Sequence, residues 1–235
     1  MKRIFLDIET LPPDEQAREA LLREMAHKIT AAGARPAYEQ AVELADRRFR
    51  EMALEGEHGR VLAIGLIIEQ DGRVIHSGLL GRDRATGRFH LDERRTLRSF
   101  WKLLREFDAR RDVIAGHNIF DFDLLFLYKR SIIHGARPAV SLSFARYRSQ
   151  PIYDTMREWE KWGRNRISLG RLAAALGLES SKQGGLDGGS VYDAFRAGRH
   201  EEIASYCMRD VELVRAIYYR LNFLEMQEGR GELCA

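Results

Sequence analysis

Residues 2–10 read KRIFLDIET, and this stretch decides how the rest of the chain is read. Ile4, Phe5, Leu6 and Ile8 make residues 2–8 a short apolar strand suited to the inside of a sheet, and Leu11-Pro12-Pro13 ends it abruptly. Side chains alternate faces along a strand, so Asp7 and Glu9 project to the same side, with Thr10 at the strand's exit. Two neighbouring carboxylates repel, and their proximity is hard to sustain without a cation between them. Taken alone, D-x-E at a strand end more often marks two solvated acids.

Outward from this strand the pattern alternates. Within residues 14–58, Leu21, Met25 and Ile29 recur at helical spacing, as do Tyr38, Val42, Ala45, Phe49 and Met52. Gly33-Ala34-Arg35-Pro36 separates the two runs, so a helical hairpin is expected after the first strand. VLAIGLIIE (61–69) and VIHSGLL (74–80) flank an Asp71-Gly72 turn, the signature of a β-hairpin. Residues 92–109 suit a helix with Asp92 as N-cap, 112–118 a strand, and 122–133 a helix. Ser168 and Gly177 bracket another short helix, GGLDGG (184–189) a loop, and a long helix is expected from about Glu201 to Leu224. The order implies one α/β domain over 1–235 with a mixed sheet flanked by helices, 14–58 being a helical insertion.

Composition narrows the class. Hydrophobic residues make up 45% of the 235, enough for a sizeable core, and no run approaches the roughly 18 apolar residues of a membrane span. An acid at position 7 argues against a secretory signal. Two cysteines, Cys207 and Cys234, make neither a disulfide framework nor a zinc site, so a cytoplasmic protein is expected. The net charge of +3 is uneven: residues 129–171 hold ten Lys and Arg against three acids, leaving −4 for the remainder. Tyr147, Tyr153, Trp159 and Trp162 are interleaved with those cations. Basic side chains neutralise phosphates and aromatic faces stack on unpaired bases, although a solvated face with core aromatics reads the same way.

Two further motifs carry acids beside apolar runs: GHNIFDFDLL (116–125) and YCMRDVELV (206–214). Asp123 falls at the start of a helix, facing the C-terminal edge of the sheet, with Asn118 at the end of the preceding strand. Asp121 is a rival for the same role, or caps the helix. Tyr206 and Asp210 stand four apart on a helix and share a face. Lysine-free carboxylate clusters suit hard divalent cations, and pairs of such cations serve phosphoryl chemistry. These residues point to a metal-dependent nuclease. His117 reads as a structural histidine, and Asp154 either caps a helix with Thr155 or supports the acids from behind. Lys182 and the glycines at 184–189 form a connection or a mobile loop beside the site.

In order and spacing the three motifs resemble those of the 3′–5′ exonucleases of the DEDD superfamily, tyrosine-containing branch. They are most similar to the proofreading exonuclease domain of family B DNA polymerases and its stand-alone relatives. The family's D-x-E, N-x-x-x-F-D and Y-x-x-x-D appear as Asp7/Glu9, Asn118–Phe122–Asp123 and Tyr206/Asp210, which favours Asp123 over Asp121. The resemblance spans residues 2–10 and roughly 60–222, and leaves 14–58 unmatched. It implies a ribonuclease H-like fold and two divalent ions, Mg²⁺ or Mn²⁺. Asp7, Glu9 and Asp210 would hold the first ion, with Asp7 and Asp123 serving the second. Thr10, Asn118 and Phe122 would contact the terminal nucleotide and Tyr206 would orient the attacking water. Single-stranded DNA ends are the expected substrate. RNA ends, or a catalytically idle nucleic-acid-binding subunit, are the alternatives.

Overall fold

β1 (Lys2–Leu11) is the middle strand of a five-stranded sheet, which is why its apolar residues point both ways. The computed structural model describes residues 1–30, 37–179 and 185–226. β1 pairs antiparallel with β2 (Arg60–Gln70) and parallel with β4 (Val113–Gly116). β3 (Arg73–Leu80) extends the sheet beyond β2, and β5 (Ile152–Asp154) beyond β4, giving the order β3-β2-β1-β4-β5. Asp71 and Gly72 both take left-handed φ values, 52° and 84°, as the tight turn of a twisted hairpin requires. The mixed α/β sheet expected from the sequence is therefore present. β5 was not anticipated, because three residues carry too little pattern to announce a strand.

Alternation along β1 divides the molecule into layers. Ile4, Leu6 and Ile8 face α3 (Glu93–Leu103) and α4 (Asp123–Ile133), where Leu97, Phe100, Trp101, Leu124 and Leu127 join them in one core. Phe5 points the other way, into α8 (His200–Leu221), its ring 5.4 Å from that of Tyr218. Sealing such a phenylalanine contributes about 1.5–3 kcal/mol. Asp7 and Glu9 follow Phe5 at two-residue intervals, so the same pleat sends them to the α8 side. A Cβ at Gly65, the β2 partner of Asp7, would lie 2.8 Å from both Cys207 Sγ and Val211 Cγ2. The missing side chain lets α8 seat directly against the sheet beside the acids.

The 14–58 segment contains α1 (Glu15–Thr30) and α2 (Ala37–Glu51). Phe49 packs edge-on to Tyr192 of α7 (Val191–Arg196) at 5.6 Å, and Arg50 makes two bonds to Asp193 at 2.9 and 3.0 Å. These anchors set the rotation of α2, so Ala41 is buried in place of Val42, which the spacing had put inside. The side chains of Ile29 and Tyr38, and residues Lys182, Gly184 and Cys234, lie outside the described residues. Asp92 and Ser168 do cap α3 and α6 (Leu169–Ala175), and the long C-terminal helix ends at Leu221, three residues before the expected end. Among the described residues no helix is long and apolar enough to cross a membrane.

Candidate active site

Glu9, Asp123, Asp210 and Tyr206 are all buried, and Asp7 is partly so. Their convergence follows from three local features. First, the pleat of β1 aims Asp7 and Glu9 at α8. Second, β1 and β4 stop pairing at Phe5 and Ala115, which leaves the Ile8 N–H without a strand partner on that side. Asp123, the first residue of α4, fills the gap: its Oδ1 accepts that N–H at 3.2 Å. The carboxylate of the second motif is thus tied to the residue between the two acids of the first. Third, Tyr206 and Asp210 stand four residues apart and lie on one face of α8.

Electrostatics record the crowding. Burial, then the charges of Glu9, Asp123 and Asp210, pushes the Asp7 carboxyl well above its ordinary range. Burial, then Asp210 and Asp123, does the same to Glu9. Asp123 rises to about 7, chiefly through burial, with Asp154 and Asp210 adding repulsion against the pull of two backbone N–H groups. The Tyr206 phenol is driven upward by burial and by the charges of Asp210, Glu9 and Asp7. Among the described residues no Lys or Arg forms an ion pair with Asp7, Glu9 or Asp123. Carboxylates gathered out of water without a basic partner call for a cation of another kind, and oxygen donors suit Mg²⁺ or Mn²⁺. The donor set fits such ions.

Cys207 was missed as a neighbour of the acids. Its buried Sγ lies 3.8 Å from Asp7 Oδ2, and ligand atoms of Asp7, Glu9 and Cys207 all fall within 4.8 Å of one another. Its place three residues before Asp210 on a helix was the available signal.

Asp121 and Asp123 separate cleanly. Asp121 turns away from the acids to Arg157, Arg146 and Arg166. Asn118 takes a left-handed φ of 63°, and its side-chain Oδ1 is buried with no hydrogen-bond partner among the described residues. Phe122 precedes α4 and packs on Phe126 at 5.6 Å, while Thr10 follows a register shift at the exit of β1. His117 spends both ring nitrogens on Thr155 Oγ1 and the Ile167 carbonyl, each at 2.9 Å, and so is structural as expected.

Asp154 is the helix cap that the sequence offered, and it also holds a loop. Its Oδ1 accepts N–H groups of Met156 and Arg157, capping α5 (Thr155–Trp159). The same carboxylate accepts from Asn118 at 3.0 Å and Phe120 at 3.3 Å, and so holds the loop that carries the second motif.

The raised carboxyls have a consequence for stability. A folded carboxyl held above its unfolded value favours the fold while protonated and loses that contribution as the pH rises through the folded pKa. For Asp123 the interval runs from its ordinary 3.8 to about 7, and Asp7 and Glu9 act with the same sign. His76, His117 and His200, held below 6.5, act oppositely at lower pH, which leaves pH 6.5–8 to the carboxylates. In chelator, the thermal midpoint is expected to fall across that interval, and saturating Mn²⁺ is expected to flatten the slope. A midpoint independent of pH in chelator would contradict the clustering.

The model of a family described as predicted 3′–5′ exonucleases related to the exonuclease domain of PolB matches residues 53–233. Among solved structures, the fold is similar to that of a family B DNA polymerase from the hyperthermophilic archaeon Pyrobaculum calidifontis, with a TM-score of 0.60 and 17% identity. That likeness covers 94% of this chain and only 24% of the polymerase. No curated protein matches the sequence. Asp7 and Glu9 precede the family match and are joined to it by the central place of β1 in the sheet. With most of its length matched by the family model, and with a ribonuclease H-like mixed sheet, the chain belongs to the family of predicted 3′–5′ exonucleases related to the exonuclease domain of PolB.

Proposed function

We propose that this chain is a tyrosine-type exonuclease that hydrolyses the last phosphodiester at the 3′ end of single-stranded DNA and releases nucleoside 5′-monophosphates. The observation that carries the reading is the convergence of Asp7, Glu9, Asp123 and Asp210 beside Tyr206, with the carboxyls of Asp7, Glu9 and Asp123 raised and no basic partner for those three among the described residues. Asp7, Glu9 and Asp210 would hold one divalent ion, and Asp7 and Asp123 a second. When bound, such ions lower the pKa of a water and neutralise the charge that develops on the leaving oxygen.

The side chains do the rest. Tyr206, its phenol pushed upward, stays protonated at neutral pH and therefore orients the attacking water as a hydrogen-bonding group, not as a base. The water oxygen bonds to phosphorus, the P–O3′ bond breaks, and the freed 3′-oxygen takes a proton. The unpartnered Asn118 Oδ1 is an acceptor for a donor on the terminal nucleotide, and Phe122 and Thr10 flank that nucleotide. The membership of the chain in an exonuclease family and the chemistry of the donor set both support this assignment.

A gel time course on 5′-labelled single-stranded DNA and RNA of one sequence, in Mg²⁺, Mn²⁺ or chelator, tests it. A metal-dependent DNA ladder shortening one nucleotide at a time from the 3′ end is expected. A ladder on RNA alone would overturn the substrate, and intact strands in both metals would overturn the reading.

A further inference from the structure

Beside the acids, one carboxylate collects three guanidinium groups. Asp121 is bonded to Arg157 and lies 3.6 Å from Arg146 and 3.5 Å from Arg166. The Arg157 side chain is 12% exposed, but those of Arg146 and Arg166 are 69% and 63% exposed. One negative charge among three positive ones leaves an excess of two, carried on forks whose remaining N–H donors face solvent. Such forks match phosphate oxygens, and guanidinium groups held this close repel until a second anion arrives.

The cluster is built on the scaffold that holds the second motif. The Asp121 N–H donates to the Asn118 carbonyl at 3.2 Å, two residues before Asp123. Arg157 donates its backbone N–H to Asp154 Oδ1, the atom that also accepts from Asn118. His117 Nε2 bonds the carbonyl of Ile167, next to Arg166. Arg157 and Arg166 therefore keep their place relative to the acids.

Aromatic rings continue the same surface. Buried Phe120 supports Trp162 edge-on at 5.3 Å, and Tyr147 leans on Trp162 at 5.3 Å, tilted by 44°, with 76% of its surface exposed. Tyr147, Lys161 and Trp162 all take left-handed φ values of 62°, 50° and 61°, uncommon for bulky residues. Tyr153, which the sequence grouped with these aromatics, is buried against Tyr218 and takes no part.

We propose that Asp121 gathers Arg146, Arg157 and Arg166 into a clamp for a backbone phosphate upstream of the scissile bond, and that Tyr147 on Trp162 is the platform on which an unpaired base stacks. The strand then runs from the acids across the 118–121 turn to this platform. The inference deepens the exonuclease reading and rests on it. Alternating cation and ring suits a single-stranded polyanion, whose phosphates and bases alternate in the same way; an acidic protein would leave the platform unused.

The test is fluorescence anisotropy of a labelled short oligothymidylate in chelator, over a range of salt, for the full chain. R146A/R166A is expected to weaken binding at least about tenfold and to reduce the slope of log affinity against log salt by about 0.7, the change for one phosphate no longer neutralised. Tyr147→Ala is expected to weaken binding roughly 5- to 100-fold with little change in that slope. R94A/R98A, an equal loss of charge on the exposed side of α3, controls for general electrostatics and should bind as the wild type does. Wild-type affinity and slope in R146A/R166A together with wild-type affinity in Tyr147→Ala overturn the clamp and platform, as does absence of binding by the wild type. Turnover of the p-nitrophenyl ester of thymidine 5′-monophosphate by the wild type in Mn²⁺ separately judges the exonuclease reading, since that substrate has no upstream phosphate.

Discussion

Asp7→Asn is expected to lower mononucleotide release by about 10³-fold while making the metal-free protein more resistant to heat. The activity loss follows from removing a charge at the point where two ions would be shared, and single electrostatic groups of this kind carry effects of that order. The gain in stability follows from the structure directly. Burial and the charges of Glu9, Asp123 and Asp210 oppose ionisation of Asp7, and asparagine keeps its shape without adding charge. The two effects have opposite signs, so misfolding cannot imitate them. Thermal melts in chelator at pH 8 should show a higher midpoint than wild type, and Mn²⁺ should raise the variant's midpoint less than it raises that of the wild type. Wild-type rates from Asp7→Asn would remove it from the site.

The second large effect is expected at Asp154. Alanine there strips the acceptor from the N–H groups of Asn118, Phe120, Met156 and Arg157 in one step, at a residue 1% exposed. Buried donors left unsatisfied cost about 1–3 kcal/mol each, and the loop relaxes to recover part of that. A net loss of about 3–5 kcal/mol is expected, lowering the midpoint by roughly 10 °C for a chain of this size. Assayed well below that midpoint, the variant should lose about 10- to 100-fold in activity, because Asn118 and Phe122 sit on the loop that Asp154 holds. A rise in KM beyond the fall in kcat would mark misplacement of the terminal nucleotide. An unchanged KM with reduced stability would make Asp154 a helix cap alone.

These two residues also show how legibility varied along the chain. Asp7 could be read at once, since a strand's two-residue period placed it with Glu9 before any fold was known. Asp154 could not, because a carboxylate before Thr155 looks the same whether it serves only the next helix or also a loop 36 residues away. The choice between Asp121 and Asp123 was open locally, and the family pattern favoured Asp123. In the structure the vacant Ile8 N–H draws Asp123 inward, while arginines from residues 146–166 draw Asp121 outward. For α2 the helical period was right and Ala45 and Phe49 are buried as expected, but Ala41 is buried where Val42 was expected, since Phe49 and Arg50 are also held by contacts with α7.

By itself the sequence determined whatever has a short period: the central strand, the hairpin turn at Asp71-Gly72, the capped helices, and the pairing of Asp7 with Glu9 and of Tyr206 with Asp210. Only the tertiary structure decided what depends on packing across the chain. Those are the closeness of Cys207 to Asp7, the loop held by Asp154, the burial of Tyr153 against the exposure of Tyr147, and the arginines around Asp121. Periodicity is a property of the local backbone, whereas the partner of a buried polar group is whichever donor or acceptor the packed sheet and helices bring within reach.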